Sequence, residues 1–412
     1  MSPRERFVAR RVGRLTDELC RLDGWGPGGG PEAFRVFARL VAALFHFELH
    51  DCEQHLSDLW HAAGRDQAAG AAVTGELSTM LARANYTPVT VAELDDALTR
   101  ESLIPLRLQV DLDDYDEVLI ARRGSHHQTV TVPRWKGLRS VEHTMTVDEE
   151  VVVATRVRPA KWFATRGRDP GERSLEPGRL SLKQFQNVPR ADIEMLLPST
   201  QVRFRPVDTL MVGVPAVASG IAVLVTKLAP TIGLMVLLVG AWLGLRDEAP
   251  QLDQTALVVL VGGLVTVGGF VFRQWNKLKN RRLRYLKTLS ENLYFRTVGD
   301  GPGVIHTLLA AAEQQEVMEV LLAYRFLLAA DEAAGLDPGE LDRRIETWLA
   351  GDGLGRDVDF EVDDALAKLE RLELIERAAN EAQWAAVPVP YALERLDRRW
   401  DDLFRHARPG PG

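Results

Sequence analysis

The sequence predicts an α+β membrane protein with four parts: a helical N-terminal unit, a small antiparallel β-sheet, a transmembrane helical hairpin and a C-terminal winged-helix-like domain. Three observations predict this class. Apolar residues recur with helical spacing at 6–22 and 32–63, and they alternate with polar residues, as in strands, from about residue 103. Two long apolar stretches follow at 208–245 and 255–272. The remainder of the chain is charge-rich, so the apolar character is concentrated in one region.

Composition excludes some functional classes. The chain has 412 residues, of which 26% are charged and 46% hydrophobic, and these values are ordinary for a globular protein of two or three domains. A formal net charge of −8 argues against a general nucleic-acid binder. Cys20 and Cys52 are too few for a disulfide framework, which favours a reducing compartment.

Changes in pattern along the chain predict the domain boundaries. The predicted parts are an N-terminal helical domain (1–102), a small antiparallel β domain (103–180), a membrane-proximal docking motif (181–207), a transmembrane region (208–272), a basic juxtamembrane helix (273–302) and a helical, winged-helix-like C-terminal domain (303–412).

The apolar region predicts membrane spans. A helix needs about 20 apolar residues to cross a bilayer, so 255–272 is one predicted span. The stretch 208–245 is too long for one helix and breaks naturally at 227–230, which leaves open two spans or one span with a re-entrant half-helix. Small residues at Gly240, Gly244, Gly262 and Gly269 favour close helix packing there.

A basic stretch follows the second apolar segment and sets the predicted orientation. Seven cations occur there without an acid, and the positive-inside rule places them on the cytoplasmic side, where they would contact anionic lipid headgroups. With both large domains inside, the expected location is a bacterial inner membrane, or a mitochondrial membrane if the source is eukaryotic. The seven residues are Arg273, Lys277, Lys279, Arg281, Arg282, Arg284 and Lys287.

Candidate chemistry is sparse. His46 and His50 lie one helical turn apart, which is a metal-ligand spacing, although Glu48 between them does not form the H-E-x-x-H pattern of zinc proteases. Asp192 and Glu194 would point to different sides of a helix and do not form a catalytic dyad. The sequence contains no nucleophile elbow, kinase signature or Walker motif, so no catalytic residue and no cofactor are predicted.

The C-terminal region has the element order of a winged helix. Asp337 is the predicted N-cap of a helix with Pro338 at its first position, and a third helix begins near Val362. In nucleic-acid-binding members of this fold the third helix needs positive charge, whereas "VDDALAKLERLE" is mainly acidic. The pattern therefore favours protein contact or packing over DNA binding.

Several ordered motifs resemble the transmembrane protein 143-like family, which carries a domain of unknown function numbered 3754. The resemblance implies an architecture rather than a reaction, and it supplies no catalytic residues. The apolar segment after Lys227 is longer than the usual two-span layout of that family. The motif residues are Lys183, Phe185, Pro189, Asp192, Glu194, Leu197 and Pro198, followed by Tyr285, Leu293, Tyr294, Glu313, Glu316, Glu319 and Tyr324.

Three functional hypotheses follow from the sequence. The first is a membrane-anchored, non-enzymatic interaction or scaffold protein with an unidentified protein partner, no nucleic-acid partner and a tendency to form homo-oligomers. The second is a component that handles lipids or transports small solutes, based on the glycine-rich spans and the basic stretch. The third is a metal-dependent enzyme that uses His46 and His50.

Overall fold

A computed structural model of the chain shows a mixed fold of helices and strands with an antiparallel sheet. The chain divides into two compact units, one formed by 1–97, 111–199 and 296–412 and the other by 98–110 and 200–295. The structure describes residues 4–26, 28–63, 67–90, 93, 107–109, 111–134, 139–171, 175–198, 201–203, 294–330, 335–351, 358–378, 380 and 382–403, together with isolated helical positions between 233 and 280.

The elements of the first unit alternate between helical and strand segments. Its helices are α1 (Val12–Leu19), α2 (Pro31–Ala63), α3 (Gln67–Arg83), α4 (Ala160–Thr165), α5 (Gly303–Leu328), α6 (Pro338–Ala350), α7 (Val362–Arg371) and α8 (Val389–Asp402), with short 3-10 turns at Leu112–Asp114 and Arg190–Leu196. Its strands are β1 (Thr87–Pro88), β3 (Tyr115–Arg134), β4 (Arg139–Val157), β5 (Leu180–Pro189), β7 (Thr297–Asp300), β8 (Ile375–Arg377) and β9 (Trp384–Ala386).

Five antiparallel strands form the main sheet in the order β1-β3-β4-β5-β7. The long β3–β4 hairpin is its centre, and Val151 and Val153 of β4 stand opposite Phe185 and Lys183 of β5. Val152 and Ala154 of β4 pack against α3 and the start of α5, and the strand is buried on both faces from Val151 to Val157, as expected for a continuous apolar run. The strands predicted after residue 103 include the β3–β4 hairpin, and the sheet extends through β5 to β7.

Helix α5 is the centre of the first unit. From Gln315 onward it is buried on almost every side, whereas His306, Ala310 and Gln314 in its first half are exposed, and it packs against α1, α2, α3, α6 and α7. A helix that is apolar all around must be enclosed by other elements, which is why this segment has little amphipathic character. Tyr324 stacks on Phe37 of α2 with ring centroids 4.2 Å apart, and its hydroxyl donates to the Val387 carbonyl at 2.7 Å.

The C-terminal elements α6, α7, β8, β9 and α8 pack around the second half of α5. Asp337 caps α6 by accepting a hydrogen bond from the Glu340 amide at 3.1 Å, which confirms the predicted N-cap. Leu336 pairs with Trp384 and adds a short bridge to the β8–β9 hairpin. The preceding Gly335 has φ +65°, and a Cβ there would lie 2.7 Å from the Trp384 carbonyl oxygen, so this turn requires glycine.

The second unit is described in few positions. Strand β2 (Arg107–Gln109) pairs antiparallel with β6 (Gln201–Arg203), with Leu108 opposite Val202. The remaining described positions of this unit are helical residues between 233 and 280 and the residues 294–295.

The prediction of an integral membrane protein with a transmembrane hairpin is corrected by the structure. Crossing a bilayer takes about 20 consecutive apolar residues in a helix. Across the described residues, no helix combines that length with that apolar character. The same finding contradicts the predicted bacterial inner-membrane or mitochondrial-membrane location. Apart from position 233, the predicted span 208–245 lies outside the described residues, and 255–272 is described at isolated positions.

Candidate functional site

A polar cleft of about 780 Å³ opens beside the central helix α5. It collects side chains from the N-terminal segment, α2, the end of α3, α5 and α7. Its lining is almost entirely charged or polar, which separates it from the apolar pockets typical of small-molecule sites. The lining residues are Arg6, Glu48, Cys52, Ala82, Arg83, Asn85, Glu316, Glu361, Asp364, Lys368 and Arg371.

Lys368 is the centre of the charge cluster at the cleft floor. Its ammonium lies 2.8 Å from Glu316 Oε2 and 2.7 Å from Asp364 Oδ2, and it also donates to Glu319. Glu316 and Glu319 are 3% exposed, whereas the Asp364 side chain is 54% exposed. Helix spacing explains this arrangement, since Glu316 and Glu319 stand three residues apart on one face of α5.

Two residues at the end of α3 complete the floor. Arg83 Nε donates to Glu316 Oε1 at 2.7 Å, and Asn85 Nδ2 donates to Glu319 Oε1 at 2.8 Å. Asn85 has φ 58°, a left-handed conformation that asparagine tolerates better than most residues, and it terminates the helix. The backbone turn at Asn85 therefore aims its amide at α5.

Burial and neighbouring charges shift the pKa values of Lys368 and Glu319 at the cleft floor. Burial by itself lowers the pKa of Lys368, but Glu319 and Glu316 together outweigh that effect and hold its pKa above the ordinary value. Burial raises the pKa of Glu319 despite the nearby Lys368 ammonium. The neighbouring carboxylates thus favour the charged form of Lys368, and burial favours the protonated form of Glu319.

The charges at the cleft rim are also paired. Arg371 Nη1 lies 2.9 Å from Glu48 Oε2, and Arg6 Nη1 lies 2.5 Å from Glu361 Oε1. Every cation that lines the cleft thus has a carboxylate beside it. An arrangement of this kind fixes the surrounding segments in place, and it offers no unpaired cation for an anionic substrate along the described lining.

The segment Arg4–Arg10, called here the N-terminal arm, forms one wall of the cleft. Glu5 makes a parallel bridge with Val358, and the Asp359 amide donates to the Glu5 carbonyl at 2.9 Å. Further along, the Val8 amide and carbonyl both bond to the Gln315 side chain of α5 at 3.2 Å. Val8 is 1% exposed, so the arm is anchored at that point.

A second polar network lies between α3 and the sheet. Arg123 makes a bidentate contact with Glu150 and lies 4.5 Å above the Tyr86 ring, whose hydroxyl donates to Glu150 at 2.5 Å. Gln184 of β5 donates to Glu150 at 3.0 Å and accepts from Thr307 of α5 at 2.7 Å. Although burial opposes it, Arg123 and these hydrogen bonds hold the pKa of Glu150 below its ordinary value.

The predicted membrane-proximal motif lies within the first unit. Lys183 and Phe185 belong to β5, and Pro189 ends that strand. The following 3-10 turn packs on β4 and β5, with Leu197 buried and Pro198 exposed beyond it. Burial raises the pKa of Asp192, with Arg296 opposing that effect. Glu194 lies in the same turn.

The residues predicted for lipid contact and for helix packing are described only in part. Arg273, Gly262 and Gly269 occupy exposed helical positions. The contact of the basic stretch with anionic lipid stays a prediction. Lys277, Lys279, Arg281, Arg282, Arg284, Lys287, Gly240 and Gly244 lie outside the described residues.

The two histidines considered for metal binding contact different side chains. His46 Nδ1 lies 2.9 Å from Glu313 Oε2, whereas His50 Nε2 contacts Gln54 at 2.9 Å. Within the described ranges, the His, Cys, Asp and Glu side chains form no group of three that suits a metal ion. The geometry gives no support to the metal-dependent enzyme.

Glu316 and Glu319 were named in the sequence as family-motif residues, but their contacts with Lys368, Arg83 and Asn85 were not predicted. The two glutamates in an otherwise apolar helix were a sign of such contacts, because buried polar residues need hydrogen-bonding partners. Two of those partners, Arg83 and Asn85, come from a segment more than 200 residues away in the chain.

Comparison with known families gives one match. Residues 148–303 match the model of a family described as "Protein of unknown function (DUF3754)". No solved structure matches the chain significantly. The match supports assignment to an uncharacterised family, and it covers β5, the 3-10 turn and β7, which carry part of the predicted motif.

Proposed function

We propose that this protein is a non-enzymatic interaction protein whose C-terminal elements, α6 to α8, present an acidic surface to a basic protein partner. The proposal rests on the distribution of charged side chains around α7. Its lysine turns inward, and its outer face is acidic.

The two cations of α7 are both engaged. Lys368 is 8% exposed and lies against Glu316 and Glu319 of α5. Arg371 reaches across to Glu48 of α2. These ion pairs attach α7 to the rest of the first unit, and they remove positive charge from the surface that α7 offers to solvent.

The outer face of α7 is rich in carboxylates. Asp363 and Glu370 are exposed there, whereas Asp364 lies on the side of Lys368 at the cleft. A helix that enters the major groove of DNA brings several cations to the phosphates, and an acidic helix is repelled by them. The charge pattern therefore supports a basic protein surface as the partner, in agreement with the overall charge of −8.

The paired charges of the cleft support the same proposal. A catalytic site usually holds a charged group in readiness for substrate, whereas Lys368, Arg83 and Arg371 each face a carboxylate of this chain. The narrower assignment to the transmembrane protein 143-like family rests on sequence motifs and stays a prediction.

Crosslinking with mass spectrometry in intact cells tests the proposed function. We expect intermolecular crosslinks near α7 that disappear when Asp363 and Glu370 are both replaced by Lys. The matched control is Glu32→Lys/Glu176→Lys, which reverses two exposed carboxylates outside α6–α8 that are paired with Arg35 and Arg179. Crosslinks that persist in the Asp363→Lys/Glu370→Lys variant, or tight binding of the wild-type protein to duplex DNA at physiological salt, would overturn the proposal.

A further inference from the structure

The loop that precedes α7 already holds an extended basic segment, which is the chain's own N-terminal arm. Glu5 lies beside Val358 as a parallel bridge, and Arg4 Nη2 donates to the Val358 carbonyl at 2.7 Å. Main-chain pairing of this kind is the way in which many proteins accept an added peptide strand. The structure thus records how this edge binds an extended peptide.

The side chains at the start of the arm alternate, as in a strand, and its first two arginines, Arg4 and Arg6, face carboxylates of the C-terminal elements. Arg4 lies 2.7 Å from Glu346 of α6 and 3.7 Å from Asp359. Arg6 pairs with Glu361. Residues two apart in an extended segment point to the same face, so an Arg-x-Arg spacing matches the spacing of these acids.

The acids around the arm outnumber its cations. We call Asp342, Glu346, Asp359, Glu361 and Asp363 the acidic strip, and Arg4 and Arg6 supply two positive charges against its five negative ones. Asp342 Oδ1 is buried without a hydrogen-bond partner among the described residues. Burial and the neighbouring Glu346 and Asp359 carboxylates raise the pKa of Asp342, as expected where negative charge is in surplus.

The contacts of Arg4 and Arg6 are weak enough to exchange. The two side chains are 40% and 58% exposed, and exposed ion pairs contribute about 0–1 kcal/mol each. From Val8 onward the arm is buried and bonded to Gln315. Release of the first residues can therefore stop at Val8 and leave the core intact.

We propose that the acidic strip and the Val358 edge form a docking site for an extended Arg-x-Arg segment of a partner protein, and that Arg4–Arg6 of this chain occupies the site in cis until the partner displaces it. The inference rests on the proposed function, because it names the chemistry of the partner that the acidic C-terminal surface accepts. A partner segment with more than two cations satisfies the strip better than the arm does.

Peptide binding to the full-length protein tests this inference. The probe is a fluorescein-labelled peptide PRERF, which copies residues 3–7, and the readout is fluorescence anisotropy at about 50 mM salt, where screening is moderate. We expect Arg4→Ala/Arg6→Ala to bind the probe about ten-fold more tightly than the wild-type protein, since a tethered competitor acts at high effective concentration. Adding Glu346→Lys/Glu361→Lys to this variant should abolish binding.

Controls keep the result interpretable. Arg11→Ala/Arg14→Ala removes two arginines from the same stretch without touching the strip, since Arg14 pairs with Glu18, and it should bind the probe as weakly as the wild type does. Circular dichroism checks that each variant is folded. Equal probe binding by the wild type and the Arg4→Ala/Arg6→Ala variant would overturn the inference, as would binding that survives the Glu346→Lys/Glu361→Lys change.

Hydrogen exchange of the wild-type protein gives a second measurement that does not depend on any variant. The Asp359 amide, which donates to Glu5, should exchange far faster than amides in the middle of α5. Equally slow exchange would mean that the arm does not open, and the inference would fail. Absence of α7 crosslinks in cells that express the wild-type protein, together with intact peptide binding, would refute the proposed function while leaving the docking site in place.

Discussion

Removal of the Lys368 ammonium tests the charge cluster at the cleft floor most directly. Lys368→Met keeps the length of the side chain but leaves three carboxylates without their shared cation. Glu316 still has Arg83 at 2.7 Å, and Asp364 is largely hydrated. The loss is therefore concentrated on Glu319, which retains the Asn85 amide as its neighbour. An uncompensated buried carboxylate lowers the free energy of unfolding by about 3–5 kcal/mol.

The pH dependence of this loss gives a sharper test than its size. Because burial raises the pKa of Glu319, the folded protein binds that proton more tightly than the unfolded chain does. Stability therefore falls as the pH rises from the ordinary value of 4.5 through the raised folded-state pKa, and the penalty is fully present above it. Without the Lys368 ammonium, which lowers the pKa of Glu319, the pH range over which stability falls extends to higher pH. The loss in Lys368→Met should shrink between pH 8 and pH 5.

Urea unfolding at both pH values measures these effects. Glu319→Gln in the Lys368→Met background removes the stranded charge and should recover about 2 kcal/mol, as expected for residues in direct contact. Lys161→Met, at an exposed position on α4, is the matched control and should change stability by less than about 0.5 kcal/mol. A loss below about 1 kcal/mol in Lys368→Met, or one of equal size at pH 5 and pH 8, would refute the reasoning.

Three further predictions concern other buried groups. Arg325 is fully buried, donates to four backbone carbonyls at and after the end of α1, and lies 4.0 Å above the Trp25 ring. Arg325→Met should therefore lower the free energy of unfolding by about 3 kcal/mol and alter Trp25 fluorescence. Burial raises the pKa of Tyr86, so the free energy of unfolding should fall as the pH rises past about 10. In Tyr86→Phe this fall should be less steep by about 1.4 kcal/mol per pH unit. Equal slopes for the two proteins in urea titrations would contradict the prediction. Gly335→Ala should destabilise the protein by about 2–4 kcal/mol in thermal unfolding, whereas Gly303→Ala, at an exposed helix start with open space around it, should not.

Local patterns in the sequence predicted local structure well. The N-cap at Asp337 follows from the chemistry of its side chain and the proline after it, and both act within one helical turn. Alternation of apolar residues likewise predicted the strands of the β3–β4 hairpin, because the two faces of a sheet impose that period. The segment Arg190–Leu196, which carries Asp192 and Glu194, forms a 3-10 helix.

Apolar content alone misled the prediction of fold class. Long apolar runs predict membrane spans when no competing burial is considered, and across the described residues no helix meets the requirement for a span. Helix α5 shows a second ambiguity, because its first half has an exposed stripe at His306, Ala310 and Gln314, whereas its second half is almost entirely enclosed. Hydropathy does not distinguish between these burials without the positions of neighbouring elements.

The cleft could not be predicted because its parts come from distant segments. Glu316 was visible in the sequence as a polar residue in an apolar helix, but its partners Arg83 and Lys368 lie on two other helices. Sequence periodicity gives the face of a helix on which a residue lies, and it does not give the element that covers this face.

Two buried polar residues of α5, Gln315 and Arg325, share one role, which limits how far the N-terminal arm can open. Gln315 bonds to Val8, and Arg325 bonds to the turn that follows α1, so two buried side chains of α5 hold N-terminal segments in place. Buried polar groups of this kind are expensive to expose without a partner, whereas the ion pairs of Arg4 and Arg6 are solvated when broken. A partner that displaces Arg4–Arg6 therefore meets a sharp increase in resistance at Val8. The opening is confined to the residues that cover the acidic strip, and at the cleft floor it removes the bond that Asn85 Nδ2 donates to the Arg6 carbonyl at 3.2 Å.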